Sequence, residues 1–131
     1  MKEMDILRLI QLALSEAGCT VWRNNVAKAW VGDRYVRLAN GDMVIKNPRP
    51  LNAGLCVGSS DLIGIYPKKV TQDMVGSTVG IFIGHEIKTT KGRPTDDQSR
   101  FIEHVNSRGG IAGIARSPAD AIALLAKYSR G

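Results

Sequence analysis

Cysteine is scarce in this chain, with only Cys19 and Cys56 among 131 residues. Both lie in apolar surroundings without a Cys-x-x-Cys or a Cys/His spacing, so neither a disulfide framework nor structural zinc is expected. No apolar run approaches the roughly 18 residues of a membrane span. The basic, apolar, small-residue order of a secretory leader is also missing. A P-loop, a dinucleotide-binding fingerprint, a Gly-x-Ser-x-Gly elbow and a Cys/His dyad are all lacking, which removes the commonest nucleotide-binding and nucleophilic-hydrolase solutions. There is no internal repeat and no low-complexity tract. These absences predict a reduced, soluble, cytoplasmic protein without a membrane partner, folded as a single domain over residues 1–131. Such a domain buries roughly two thirds of its unfolded surface.

Charge is present, with a modest excess of one sign. Eighteen lysines and arginines stand against twelve acidic residues, a formal charge of +6. Most basic residues on any protein are simply solvated. Here Lys68, Lys69, Lys88, Lys91, Arg93, Arg100 and Arg108 crowd the segments that carry the chemistry described below, which suits a phosphate-rich partner.

Periodicity predicts an α/β order of helix, strands, helix, strand, helix. Glu3 to Ala17 reads as an amphipathic helix with Ile6, Leu7, Ile10, Ala13, Leu14 and Ala17 on one stripe and Gly18 as its stop. Thr20 to Asn24 reads as a short strand. Tyr35 to Ile45 reads as a hairpin turning on Asn40-Gly41, a pair that accepts the positive φ angles of a type I′ turn. Lys46 to Gly54, with Pro48 and Pro50, reads as a loop. Strands are expected over Asp61 to Tyr66, Gly80 to Thr89 and Ile111 to Ala115. Thr95-Asp-Asp-Gln98 reads as a capping box opening a helix to about Ser107, and Ser117-Pro118 caps a last helix to about Lys127.

The stretch Gly84-His85-Glu86-Ile87-Lys88 carries the most information. Strand side chains alternate, so Glu86 and Lys88 share one face while Ile83, His85 and Ile87 take the other. If the strand opened by Asp61 pairs nearby, two carboxylates converge. Oxygen ligands of that kind suit Mg²⁺ or Mn²⁺, which accept one or two carboxylates and keep sites for waters and a substrate phosphate. Lys88 then orients the attacking water or meets charge developing on the phosphate. On the first helix, Glu3 falls with Leu7, Ile10 and Leu14 near the middle of the apolar stripe, where a carboxylate is costly unless it is paired. A helix-opening glutamate favoured by the dipole is the plainer account of it. Gln98 has its own local job as partner of the Thr95 cap, yet it lies on the inward face of Phe101, Ile102 and Val105. His85 is expected to be a packed or hydrogen-bonded residue and His104 a surface one.

An acidic residue followed by Glu-x-Lys resembles the PD-(D/E)XK nuclease superfamily. More specifically, Gly58-Ser-Ser-Asp-Leu-Ile-Gly-Ile65, Glu86-Ile-Lys-Thr-Thr-Lys-Gly-Arg93, the helix of Gln98 and Gly109-Gly-Ile-Ala-Gly-Ile-Ala-Arg-Ser-Pro-Ala-Asp120 resemble a VRR-Nuc domain of the stand-alone phage and bacterial type. The resemblance runs from about Glu3 to Leu125. It implies a restriction-endonuclease-like core, a central mixed sheet flanked by helices. It also implies a metal site of Asp61, Glu86, the main-chain carbonyl of Ile87 and Glu3, with Lys88 and Gln98 as further catalytic residues. Trp22-Arg-Asn-Asn25 resembles a family motif, and Arg23, Lys91, Arg93 and Arg100 are the implied DNA contacts. The implied activity is Mg²⁺- or Mn²⁺-dependent endonuclease cleavage of branched DNA, four-way (Holliday) junctions above all, by a homodimer in a bacterial or phage-infected cell. A flap or single-strand nuclease and a non-catalytic DNA-binding module of the same fold are the alternatives.

Overall fold

A computed structural model describes residues 2–129. The chain is mixed α/β, with three α-helices and small sheets, and no closed barrel occurs among the described residues. It divides into two compact units, Met1–Ala13 with Val21–Gly64 and Leu14–Thr20 with Ile65–Gly131. No helix among the described residues is long and apolar enough to cross a membrane.

In chain order the elements are α1 (Glu3–Glu16), β1 (Thr20–Arg23), β2 (Ala27–Val31), β3 (Arg34–Arg37), β4 (Met43–Lys46), β5 (Arg49–Ala53), β6 (Leu62–Ile65), β7 (Ile83–Ile87), α2 (Asp96–Ser107), β8 (Ile111–Ala115) and α3 (Pro118–Leu124). A 3₁₀ turn over Leu125–Tyr128 continues α3. Where the resemblance implies one central mixed sheet, the strand hydrogen bonds are divided among four two-stranded sheets, β1 with β6, β2 with β5, β3 with β4 and β7 with β8.

The first unit is mostly ribbon. β2 and β5 pair antiparallel with Trp30 opposite Pro50, so the expected loop over Lys46 to Gly54 is a strand for half its length. Proline cannot donate to a ladder, but it is tolerated in an edge strand when its nitrogen faces away from the partner. β3 and β4 form the expected hairpin, with Arg37 opposite Met43. Its turn differs from the expected type I′. Gly41 has φ 93° while Asn40 keeps negative φ, and the Gly41 N–H donates to Leu38 O while the Leu38 N–H donates to Asp42 O. A three-residue loop of this kind needs glycine only at its last position.

α1 ends where expected, with Gly18 at φ 95°. Its apolar stripe is wider than the face that is covered. Leu7, Gln11 and Leu14 are half-buried, whereas Ile6 and Ile10 are 44% and 45% exposed.

The second unit is built on β7 and β8, a parallel pair joined through α2. Parallel pairing needs a crossover, and the helix supplies it. β8, Ile-Ala-Gly-Ile-Ala, is apolar throughout because both of its faces are covered. Val105 of α2 is completely buried, and Ile111, Ala112 and Ala115 are nearly so. Two glycines permit this closeness. A Cβ on Gly110 would fall 2.6 Å from Val105 Cγ1, and one on Gly113 would fall 2.5 Å from Leu124 Cδ2. Asn106 fastens α2 to the strand in both directions, its amide donating to Ala112 O at 2.9 Å and its oxygen accepting from Ala112 N at 3.0 Å.

Candidate active site

Glu86, Lys88 and Gln98 come together in the second unit. β7 supplies the first two. The strand's alternation continues one residue beyond its end, because the Lys88 N–H still donates to Ala115 O. Glu86 and Lys88 therefore stay on one face, with Lys88 Nζ 3.3 Å from Glu86 Oε1. The side chains keep 31% and 20% of their exposure, enough for a solute to reach the carboxylate. The opposite face carries His85, whose Nε2 donates to Ala121 O of α3 at 3.0 Å. That bond accounts for the histidine without chemistry, as the alternation predicts.

α2 supplies Gln98, and its capping box sets the amide's orientation. Thr95 Oγ1 accepts from Gln98 N at 3.1 Å, and Gln98 Oε1 accepts from Thr95 N at 2.9 Å. The amide oxygen must face that N–H, so the amino group is left to donate to Glu86 Oε1 at 2.9 Å. Gln98 thus completes the cap and also contacts Glu86. Glu86, Gln98, Gly84, His85, Asp97, Phe101 and Ile102 line an open recess of about 330 Å³. Phe101 packs over Gly84, where a Cβ would meet its ring at an ordinary contact distance of 3.5 Å.

The remaining expected residues have these positions. Asp61 lies in the first unit, just before β6 rather than within it. It is exposed, and its main-chain oxygen accepts from Asn24 N at 2.8 Å. Glu3, also in the first unit, opens α1 and is exposed, so it is not aimed into a core as the helical stripe predicts. Arg23, at the end of β1 in that unit, is exposed too. In the second unit Ile87 ends β7, Lys91 and Arg93 stand exposed on the loop that follows, and Arg100 pairs with Asp97 one turn earlier on α2. Among the described residues no three histidine, cysteine, aspartate or glutamate side chains are grouped to hold a metal. His104 departs from expectation, because it is half-buried with its Nε2 2.8 Å from Thr20 Oγ1.

Two residues that lie in the quoted motifs but receive no individual role from the sequence hold the segments around these side chains. Asn24, 8% exposed, is the one buried polar residue among those described. Its amide donates to Ser59 Oγ at 2.7 Å and to Ser60 O at 2.9 Å, and its oxygen accepts from Leu55 N at 3.0 Å. It fixes the loop that precedes Asp61. Arg116, the residue after β8, donates to Thr89 O and to Gly92 O, closing the turn that follows Lys88. Its own N–H is taken by Asp120 Oδ2 at 3.0 Å.

No family profile, no curated protein and no solved structure matches this chain.

Proposed function

We propose that this protein is a divalent-metal-dependent DNA endonuclease with a restriction-endonuclease-like core. The observation that carries the reading is the Glu86–Lys88–Gln98 cluster, a carboxylate held from two sides at the end of a parallel βαβ unit. The element order also supports it. Without the ribbon of β2 to β5, the chain runs helix, strand, strand, strand, helix, strand, helix, which fits the α/β core of the resembled superfamily.

The donors suit a hard cation. Gln98 and Lys88 both meet Glu86 Oε1, and no other protein group bonds this carboxylate among the described residues. Its second oxygen is available. The all-oxygen donor set that the resemblance implies suits Mg²⁺ or Mn²⁺, and in the second unit Glu86 and the Ile87 carbonyl are its members. A cation bound there supplies Lewis acidity toward the phosphate. The protein's own groups do the rest. Gln98 holds Glu86 in one rotamer, and Lys88 keeps a positive charge beside the place where the phosphate gains negative charge during in-line attack by water. The exposed Lys91 and Arg93, on the turn closed by Arg116, are suited to phosphate contacts.

The substrate proposed is branched DNA, four-way junctions in particular, cut by a homodimer. Two symmetric strand cuts follow directly from two sites related by a two-fold axis. The test is a panel of four-way, flap, single-stranded and linear DNAs with Mg²⁺, Mn²⁺ or EDTA, alongside light scattering. Glu86→Gln and Lys88→Ala are expected to lose at least about a hundredfold in cleavage while still binding DNA. Wild-type rates in either folded variant would overturn the nuclease reading; a monomer that cuts flaps and ignores junctions would overturn only the resolvase part.

A further inference from the structure

β2 to β5 form a ribbon whose chemistry the cluster at Glu86 does not use. The ladder of β2 with β5 runs on into that of β3 with β4, because the Asp33 N–H donates to Lys46 O at 2.9 Å between them. The junction is pinned. Asn47 sits at φ 50°, and the Asp33 carboxylate accepts from Asn47 Nδ2 at 2.9 Å and from Arg49 at 3.0 Å. A two-stranded ribbon is marginal by itself in water, and this one is uncovered along most of both faces. Trp30 is 61% exposed, Tyr35 50% and Met43 49%.

Its charges point to the partner. Arg34 stands directly opposite Lys46, and like charges facing each other across an antiparallel pair are unfavourable. Among the described residues neither has a carboxylate within ion-pair reach, and nor do Lys28 and Arg37. Asp33 is engaged by Arg49, which leaves those four cations with Asp42 as the ribbon's other acid. Arg34 and Lys46 thus stand as an unneutralised cation pair on one face of the ribbon, with Arg37 and the exposed Tyr35 on the other. A polyanion relieves that repulsion, and in duplex DNA the phosphates recur every ~1.7 Å of helix axis. Two-stranded ribbons of this width enter DNA grooves.

We infer that the ribbon from Ala27 to Ala53 is a DNA-binding arm in which Arg34 and Lys46 contact backbone phosphates. The inference rests on the nuclease reading for its choice of polyanion, and it assigns substrate binding to a segment distinct from the Glu86 cluster. Anisotropy of labelled duplex and four-way DNA, measured in EDTA so that nothing is cut, tests it. Compared are the wild type, Arg34→Ala with Lys46→Ala, and a control that removes equal charge elsewhere in the same unit, Lys2→Ala with Arg8→Ala.

The arm variant is expected to bind about tenfold or more weakly, and its log–log salt dependence to flatten by about two. The control should change less than twofold. Equal loss in both variants, or no change in the arm variant, overturns the assignment. So does a change of oligomeric state in the arm variant at unaltered DNA affinity, which would make a second copy the occupant. A measurement that leaves Arg34 and Lys46 in place guards against misfolding of the arm variant: iodide quenching of Trp30, isolated by difference from Trp30→Phe, should fall when DNA saturates the protein. Unchanged quenching refutes contact there. Arm-dependent binding without any cleavage in Mg²⁺ would leave the arm standing and remove the nuclease reading, whereas cleavage with arm-independent binding would do the reverse.

Discussion

Replacing Asn24 with alanine tests whether one buried amide holds the approach to Asp61. The substitution removes three side-chain hydrogen bonds, to Ser59 Oγ, Ser60 O and Leu55 N. The main-chain bond from residue 24 to Asp61 O survives, because alanine keeps its N–H. Each lost bond is worth roughly 0.5–1.5 kcal/mol net, so a simple sum gives about 3 kcal/mol. Water can repair part of this loss, since Leu55 is 64% exposed. The expected cost is therefore about 2 kcal/mol. Asn24→Asp should be worse than alanine near neutral pH, because it places a carboxylate against the Ser60 carbonyl in a buried position. Urea unfolding of both variants, with exposed Asn25→Ala as the control expected within about 0.5 kcal/mol of wild type, supplies the numbers. On the proposed nuclease reading, cleavage by the folded Asn24→Ala protein should also fall, since the loop before Asp61 loses its anchor. If Asn24→Ala is as stable as the control, or Asn24→Asp is the more stable of the pair, the loop is held by something else.

Other perturbations probe separate parts of the structure. Gln98→Glu keeps a residue able to complete the capping box but turns a carboxylate toward Glu86, so stability should fall by about 1 kcal/mol at neutral pH. It should recover on acidification as one of the two protonates, a pH dependence that Gln98→Ala will lack if the contact is as described. Asp33 should titrate below its ordinary 3.8, because Asn47 first and Arg49 second hydrogen-bond its ionised form. Its stabilisation is then fully present above the unfolded value and lost as pH falls through the folded one; a carboxyl NMR titration that leaves Asp33 at 3.8, or does not move upward in Asn47→Ala, contradicts this. Gly110→Ala sets a methyl 2.6 Å from Val105 Cγ1 and 3.0 Å from Phe82 O, and thermal melts should show a loss of about 1–3 kcal/mol.

What was legible in the sequence divides along the reach of the interactions involved. The second unit's elements could be read because their signals are local. Thr95 and Gln98 cap α2, Ser117 and Pro118 open α3, and the apolar run of β8 needs no partner to be recognised. β2 and β5 were illegible for the opposite reason. Pro48 and Pro50 suppress any strand reading of 46–54, and only the ladder with Trp30 and its neighbours makes β5 a strand. The hairpin's position could be read but not its turn type, since Asn-Gly satisfies both a two-residue loop and a three-residue one ending in glycine. Around the candidate site, the E-x-K spacing foretold that Glu86 and Lys88 share a face. Asn24 and Arg116 gave no local sign of their jobs, because their partners lie more than twenty residues away and are mostly main-chain atoms.

Gln98 ties the folding of α2 to the chemistry proposed for Glu86. Its oxygen is committed to the Thr95 N–H, a group left without a partner at the helix start unless a side chain accepts from it. Its amino group can then point only toward Glu86 Oε1, the same oxygen that Lys88 reaches from the neighbouring strand position. Two donors on one oxygen fix the carboxylate's rotation and leave its other oxygen for a ligand from solution. A helix cap and the carboxylate proposed for the chemistry are thereby set by a single side chain. A change at Thr95 that loosens the cap should therefore free the Gln98 amide to rotate and unsettle Glu86, although Thr95 itself never touches the carboxylate.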